Sequence, residues 1–142
     1  QRLIRELPAK YPIAFREGAY DKERFYEMAR GMEEEKEGGE RCFKCYRLRL
    51  EEAARAAKAG GFSYFTTTLS ISPHKNAQVL NELGKEISDA FGVPYLYSDF
   101  KKKNGYRRSC ELSTEYHLYR QDYCGCPFSK AEAEERKRRA QA

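Results

Sequence analysis

No run of about 18 consecutive apolar residues occurs anywhere in this 142-residue chain, which excludes a membrane-spanning helix. An initiator methionine is also missing. The start, Gln1-Arg2-Leu3-Ile4-Arg5-Glu6-Leu7, is a polar, amphipathic helical stretch without the charged, apolar and small-residue order of a signal peptide. Internal repeats and low-complexity linkers are absent, so one α/β domain over residues 1–142 is expected, with 129–142 as a polar C-terminal helix or tail. Neither sign of charge dominates: 27 Lys plus Arg stand against 22 Asp plus Glu, for a net charge of +5. Cysteine is scarce and odd in number, at five. A chain of this length builds a core without disulfide staples. Thiols with no secretory signal point to a reducing cytoplasm, where close cysteine pairs usually do metal or redox work.

Four of the five cysteines form two tight pairs, Cys42-Phe43-Lys44-Cys45 and Cys124-Gly125-Cys126. The first pair is read at a loop-to-helix junction, where free N–H groups and the positive end of the helix dipole favour a thiolate. Arg41, Lys44, Arg47 and Arg49 add positive charge there. An iron–sulfur cluster, a zinc site, a thioredoxin-type redox pair and plain packing are all open to it. Cys-x-Cys does not suit a relaxed disulfide, because the ring is small. A strained one is easily reduced and suits an electron relay, and Gly125 gives the backbone the freedom such a ring needs. The alternatives are a metal pair that completes a four-cysteine zinc site, or packing. The two pairs lie far apart in the chain, against the roughly 12–20 residues between the pairs of a zinc ribbon, which weighs against compact structural zinc. Cys110 has no cysteine near it in sequence and reads as a small buried hydrophobe.

Strand candidates are 12–15, Phe62 to Leu69 and Val93 to Ser98, the last two rich in β-branched and aromatic residues. Helices are expected over about 22–31 with Asp21 as N-cap, from Cys45 to Gly60-Gly61, from Ser72-Pro73 to about Phe91, from about Ser109 to His117, and after Ser129. This alternation predicts a three-layer, Rossmann-like (HUP-like) parallel sheet with flanking helices. Too few strands are present for a complete one, as if a first βα unit were missing from the start.

Sites in such folds gather at the carboxyl ends of strands. That marks Thr66, Thr67, Thr68, Ser70 and Ser72 as donors to phosphate or ribose, His74 as a substrate contact, and Asp99 as a metal ligand, nucleoside holder or acid. Edge-facing side chains and a turn carboxylate are the plain alternatives. Lys101, Lys102, Lys103, Arg107 and Arg108 surround Tyr106, a pattern that fits phosphate binding with base stacking. The C-terminal run Arg136-Lys137-Arg138-Arg139 reads more simply as a solvated face.

Four blocks, taken together, carry a resemblance. They are Arg41-Cys42-Phe43-Lys44-Cys45-Tyr46-Arg47-Leu48-Arg49-Leu50; Phe65-Thr66-Thr67-Thr68-Leu69-Ser70-Ile71-Ser72-Pro73-His74-Lys75-Asn76; Asp99-Phe100-Lys101-Lys102; and Leu118-Tyr119-Arg120-Gln121-Asp122-Tyr123-Cys124-Gly125-Cys126. In this order, over about residues 18–129, the chain resembles the QueH family of epoxyqueuosine reductases. The resemblance implies a tRNA-modifying oxidoreductase that reduces the epoxide of epoxyqueuosine, at the wobble position of certain tRNAs, to the alkene of queuosine. It implies a [4Fe–4S] cluster, room for an additional iron ion, and an electron donor of unspecified identity. By motif, Cys42 and Cys45 match cluster ligands, and Cys124 and Cys126 match a redox-active pair with Asp99 beside the chemistry. Thr67, Ser72, His74, Lys101, Lys102, Arg107 and Arg120 are the implied substrate contacts, and Asp99, His74 and Tyr123 the candidate proton donors. The family begins with a strand that ends in a Cys-Cys-x-Pro-Cys motif, which supplies the other two cluster ligands. This chain has no such motif, so they are expected to lie outside it. Two rival readings remain: a zinc-stabilised RNA-binding module without catalysis, and a thiol–disulfide oxidoreductase using Cys42 and Cys45.

Overall fold

The computed structural model of the chain describes residues 13–19 and 21–141. Among them are five α-helices and one short 3-10 turn: α1 (Lys22–Ala29), α2 (Glu40–Ala59), the 3-10 turn Thr68–Ile71, α3 (Ala77–Phe91), α4 (Gly105–Glu115) and α5 (Pro127–Gln141). The helical stretch expected at residues 1–10 lies outside the described residues. None of the helices is long and apolar enough to cross a membrane.

The parallel sheet is not there. Among the described residues, no strand forms, and the expected three-layer Rossmann-like architecture gives way to a helical one. Residues 13–15 run without regular structure. The two best strand candidates do meet, but at a single parallel bridge between Phe65 and Tyr95. Phe65 N–H donates to Pro94 O at 3.0 Å, and Leu96 N–H to Phe65 O at 2.9 Å. Beyond that point side chains take the backbone groups a ladder would have used. The Thr66 hydroxyl donates to Leu96 O at 2.8 Å. Asn81, from α3, accepts from Ser98 N–H at 3.1 Å and donates to Ser98 O at 3.0 Å. Backbone groups satisfied by side chains have no need of a neighbouring strand. The chain then winds into the 3-10 turn, where the Thr67 hydroxyl accepts from Leu69 N–H at 3.2 Å.

The core lies between α2 and α3. Tyr46, Leu50, Ala54 and Ala57 of α2 meet Leu80 and Ile87 of α3, with Phe65, Val93 and Tyr95 closing one end. These positions repeat at helical spacing, so one face of each helix is apolar. Helix α3 begins at Ala77 and not at Ser72-Pro73, because Asn76 is the better cap: its side chain accepts from Gln78 N–H and Val79 N–H at 3.0 and 3.2 Å. Ser72 instead ends the 3-10 turn. Helix α4 starts four residues before the expected Ser109, at Gly105, where a Cβ would come within 1.7 Å of Phe100 O. The second half of the basic 101–108 segment is therefore the first turn of α4.

Candidate functional site

Cys42 and Cys45 do not straddle a junction: α2 begins at Glu40 after Gly39, so both lie within its first two turns. Three residues apart, they share one face of the helix. Cys42 is buried, and its sulfur accepts from Gly38 N–H at 3.3 Å. Burial pushes the Cys45 thiol up, Arg49 opposes this, and Cys124 and Cys126 push it further. The second pair is thus within electrostatic reach of the first, although far from it in sequence.

Cys124-Gly125-Cys126 enters the N-terminus of α5. Gly125 has φ +99°, a conformation that a side chain would strain. Ser129, almost fully buried, ties the segment together. Its hydroxyl accepts from Cys124 N–H at 3.0 Å, and its N–H donates to the Cys126 sulfur at 3.3 Å. All five cysteines are free thiols, with Cys124 exposed and Cys126 half-buried. Cys110 is half-buried on α4, which packs on the 3-10 turn.

Lys75, Tyr46, Arg41 and Ser129 also frame the sulfurs; in the sequence Arg41 counts only as nearby charge and Ser129 only as a helix cap. Lys75 is buried, with its Nζ 2.7 Å from Glu37 Oε1 and 5.9 Å from the centre of the Tyr46 ring. Burial opposes its charge, but the bond to Glu37 and the nearby Cys124 sulfur outweigh that and hold its pKa above the ordinary lysine value. Burial also pushes the Tyr46 hydroxyl up to about 12. Arg41 is 2% exposed. Its Nη1 donates to Met32 O and Glu33 O at 3.0 and 2.9 Å. Its guanidinium lies 4.3 Å from the Phe128 ring centre, and Nη2 sits 3.6 Å from Glu132 Oε1. This one cation clamps the start of α2, beside Cys42, to the start of α5, beside Cys126. Ser129 does not cap α5 as expected, because α5 already begins at Pro127; its hydroxyl serves the cysteine pair instead.

The other candidates gather at a second corner. Asp99 pairs with Lys101 at 2.9 Å and with Lys102 at 3.7 Å. Lys101 holds its carboxyl below the usual carboxylate range, so Asp99 is ionised near neutral pH. Lys101 also donates to Ser70 O at 3.2 Å. Lys102, Asp99, Tyr97 and Asn81 line an open cleft of about 440 Å³. Thr67 caps the 3-10 turn, while the Ser72 hydroxyl accepts from the N–H of exposed His74 at 3.3 Å. Arg107 is spent on Glu111 at 3.0 Å. Arg120 donates to Ser113 Oγ at 2.9 Å and lies over the Tyr106 ring at 5.7 Å. The predicted residues therefore fall into a sulfur-lined site, a basic corner around Asp99, and two arginines held against α4.

Among the described residues no group of three or more Cys, His, Asp or Glu side chains is arranged to hold one metal ion. The four paired cysteines do not form the single tetrahedral set that a zinc module needs. The chemistry of the donor set still fits an iron–sulfur group in part: Cys42 and Cys45 are two soft thiols on one helix face, two of the four that such a cluster takes.

Comparison with known proteins gives the family. The family described as epoxyqueuosine reductase QueH matches residues 1–132. An epoxyqueuosine reductase QueH of Streptococcus pyogenes serotype M1 is 45% identical over 131 residues, which is 91% of this chain and 51% of that protein. One from Staphylococcus epidermidis is 45% identical over 119 residues, 82% of this chain and 50% of the relative. One from Thermotoga maritima is 35% identical over 129 residues, 89% of this chain and 67% of the relative. The chain spans about half the length of the first two. By the family match over nearly its whole length, the chain belongs to the epoxyqueuosine reductase QueH family.

Proposed function

We propose that the chain carries the thiol half of an epoxyqueuosine reductase, acting on tRNA with epoxyqueuosine at the wobble position. The observation that supports this best is the contact of buried Lys75 with Cys124, with Cys124 and Cys126 close enough to act on the Cys45 thiol electrostatically, in a member of that family. The two pairs have unequal surroundings. Cys42 and Cys45 are the pair that would hold a [4Fe–4S] cluster, whose chemistry is the delivery of single electrons at low potential.

Cys124 and Cys126 are read as the two-electron pair. Both epoxide C–O bonds break, the two carbons join in a double bond, and the oxygen leaves as water. The two thiols supply the two electrons and two protons as they close to a disulfide. Two electrons, taken one at a time from a donor such as dithionite added to the assay, and two protons from solvent then reopen the disulfide to two thiols. Asp99, already ionised, suits holding a hydroxyl or a cation better than giving a proton. Lys101, Lys102 and Arg120 would meet tRNA phosphates, with Thr67, Ser72 and His74 beside them.

A chimera provides the test. The chain replaces the matching residues of the Streptococcus pyogenes relative, and the product is loaded anaerobically with iron and sulfide. Nucleoside analysis of treated tRNA should show epoxyqueuosine converted to queuosine. A folded, iron-loaded chimera that leaves epoxyqueuosine unchanged would overturn the reading.

A further inference from the structure

A pocket of about 270 Å³ opens at Cys126, on the α1 side of the sulfur site. Phe25, Tyr26 and Tyr123 give it aromatic walls, Arg49 and Lys130 give it cations, and Cys126 lies in its wall. The volume is near the roughly 300 Å³ lower bound of small-ligand pockets. Tyr26 is 52% exposed, so its ring is available from outside. Phe25 braces it, edge-on to Tyr26 at 5.7 Å and tilted against Phe128 at 6.1 Å. Arg49 also touches the Cys45 thiol, so one side chain spans the pocket and the first cysteine pair.

We infer that this pocket seats the modified nucleobase itself, together with one adjacent phosphate of an unpaired RNA loop. The inference rests on the reductase reading above and adds a seat for the reacting base, apart from the substrate contacts that the motifs imply. A splayed base stacks on aromatic rings whatever its hydrogen-bonding edge. A phosphate on that nucleotide's own ribose then meets Lys130 or Arg49. The same seat brings the base against Cys126. On this view the Lys101–Lys102 corner holds the stem, and the Tyr26–Tyr123 pocket holds the reacting nucleotide.

Binding of a fluorescein-labelled anticodon stem-loop RNA bearing epoxyqueuosine to the 142-residue chain tests this by anisotropy, with a guanosine loop as control. Wild type should prefer the epoxyqueuosine loop, and the bound loop should slow alkylation of Cys126 by iodoacetamide. Tyr26→Ala should weaken binding about tenfold, the loss of one base–aromatic stack, while Tyr26→Phe should stay within about twofold of wild type. Lys130→Ala should weaken both loops alike and reduce the salt slope by about one. If Tyr26→Ala, with unchanged circular dichroism, binds as wild type, or if bound RNA leaves Cys126 alkylation unaffected, the seat is elsewhere and the reductase reading survives. If wild type prefers neither loop, the seat and the reading beneath it both fail.

Discussion

Arg41 shows how much one side chain decides here. It is charged, 2% exposed, and bonded to two carbonyls while stacked on Phe128. Charge-assisted hydrogen bonds contribute about 1.5–3 kcal/mol each, and truncation would also leave a void under α5. Arg41→Ala should therefore cost about 3 kcal/mol in urea melts. Arg41→Lys should recover only part of that, since an ammonium cannot reproduce the fork and the ring stack together. Asp99 gives a pH signature. Its folded value lies below the unfolded one because of Lys101, so its stabilisation is present at neutral pH. It is lost as pH falls below about 3.9 and through the folded value. Carbon-13 titration of Asp99 should report a midpoint below the ordinary value, and Lys101→Met should raise it. The cysteine pairs were legible from spacing alone. The burial of Lys75 and Arg41 was not, because a buried lysine or arginine looks in sequence like the many exposed ones.

At the scale of elements, helices were legible and strands were not. Asp21 and Gly92 are side-chain or backbone punctuation with local causes, and such signals survive in a single sequence, whereas in sequence Ser72-Pro73 outweighs the Asn76 cap. The helix over Ala77–Phe91 depends on its cap: Asn76→Ala should lower stability by about 1 kcal/mol, read by thermal melting. Its packing depends on a missing side chain. A Cβ on Gly84 would come within 2.4 Å of the Tyr95 ring, so Gly84→Ala should cost about 1–3 kcal/mol despite a better helix propensity. The aromatic and β-branched runs at 62–69 and 93–98 have strand composition, yet a strand needs partners along its length. Thr66 and Asn81 take those hydrogen bonds, one from a residue far away in sequence, and no local pattern announces that.

For the whole molecule, the fold brings together what the sequence keeps apart. Helix α2 and the start of α5 hold one cysteine pair each, and side chains long enough to cross the gap, Arg41 to Phe128 and Glu132, lock them. The family resemblance, read from four motifs, gave the two pairs different jobs and said nothing of how near they lie. It did not anticipate the aromatic pocket, whose walls come from α1 and from Tyr123. The central claim is that the two pairs do different work. It is tested most directly by nucleoside analysis and visible absorption of the iron-loaded chimera and two variants of it, Cys126→Ser and Cys42→Ser. The account predicts that Cys126→Ser keeps the iron–sulfur colour but converts no epoxyqueuosine, while Cys42→Ser loses both. Equal loss of colour in the two variants, or wild-type conversion by Cys126→Ser, would contradict it.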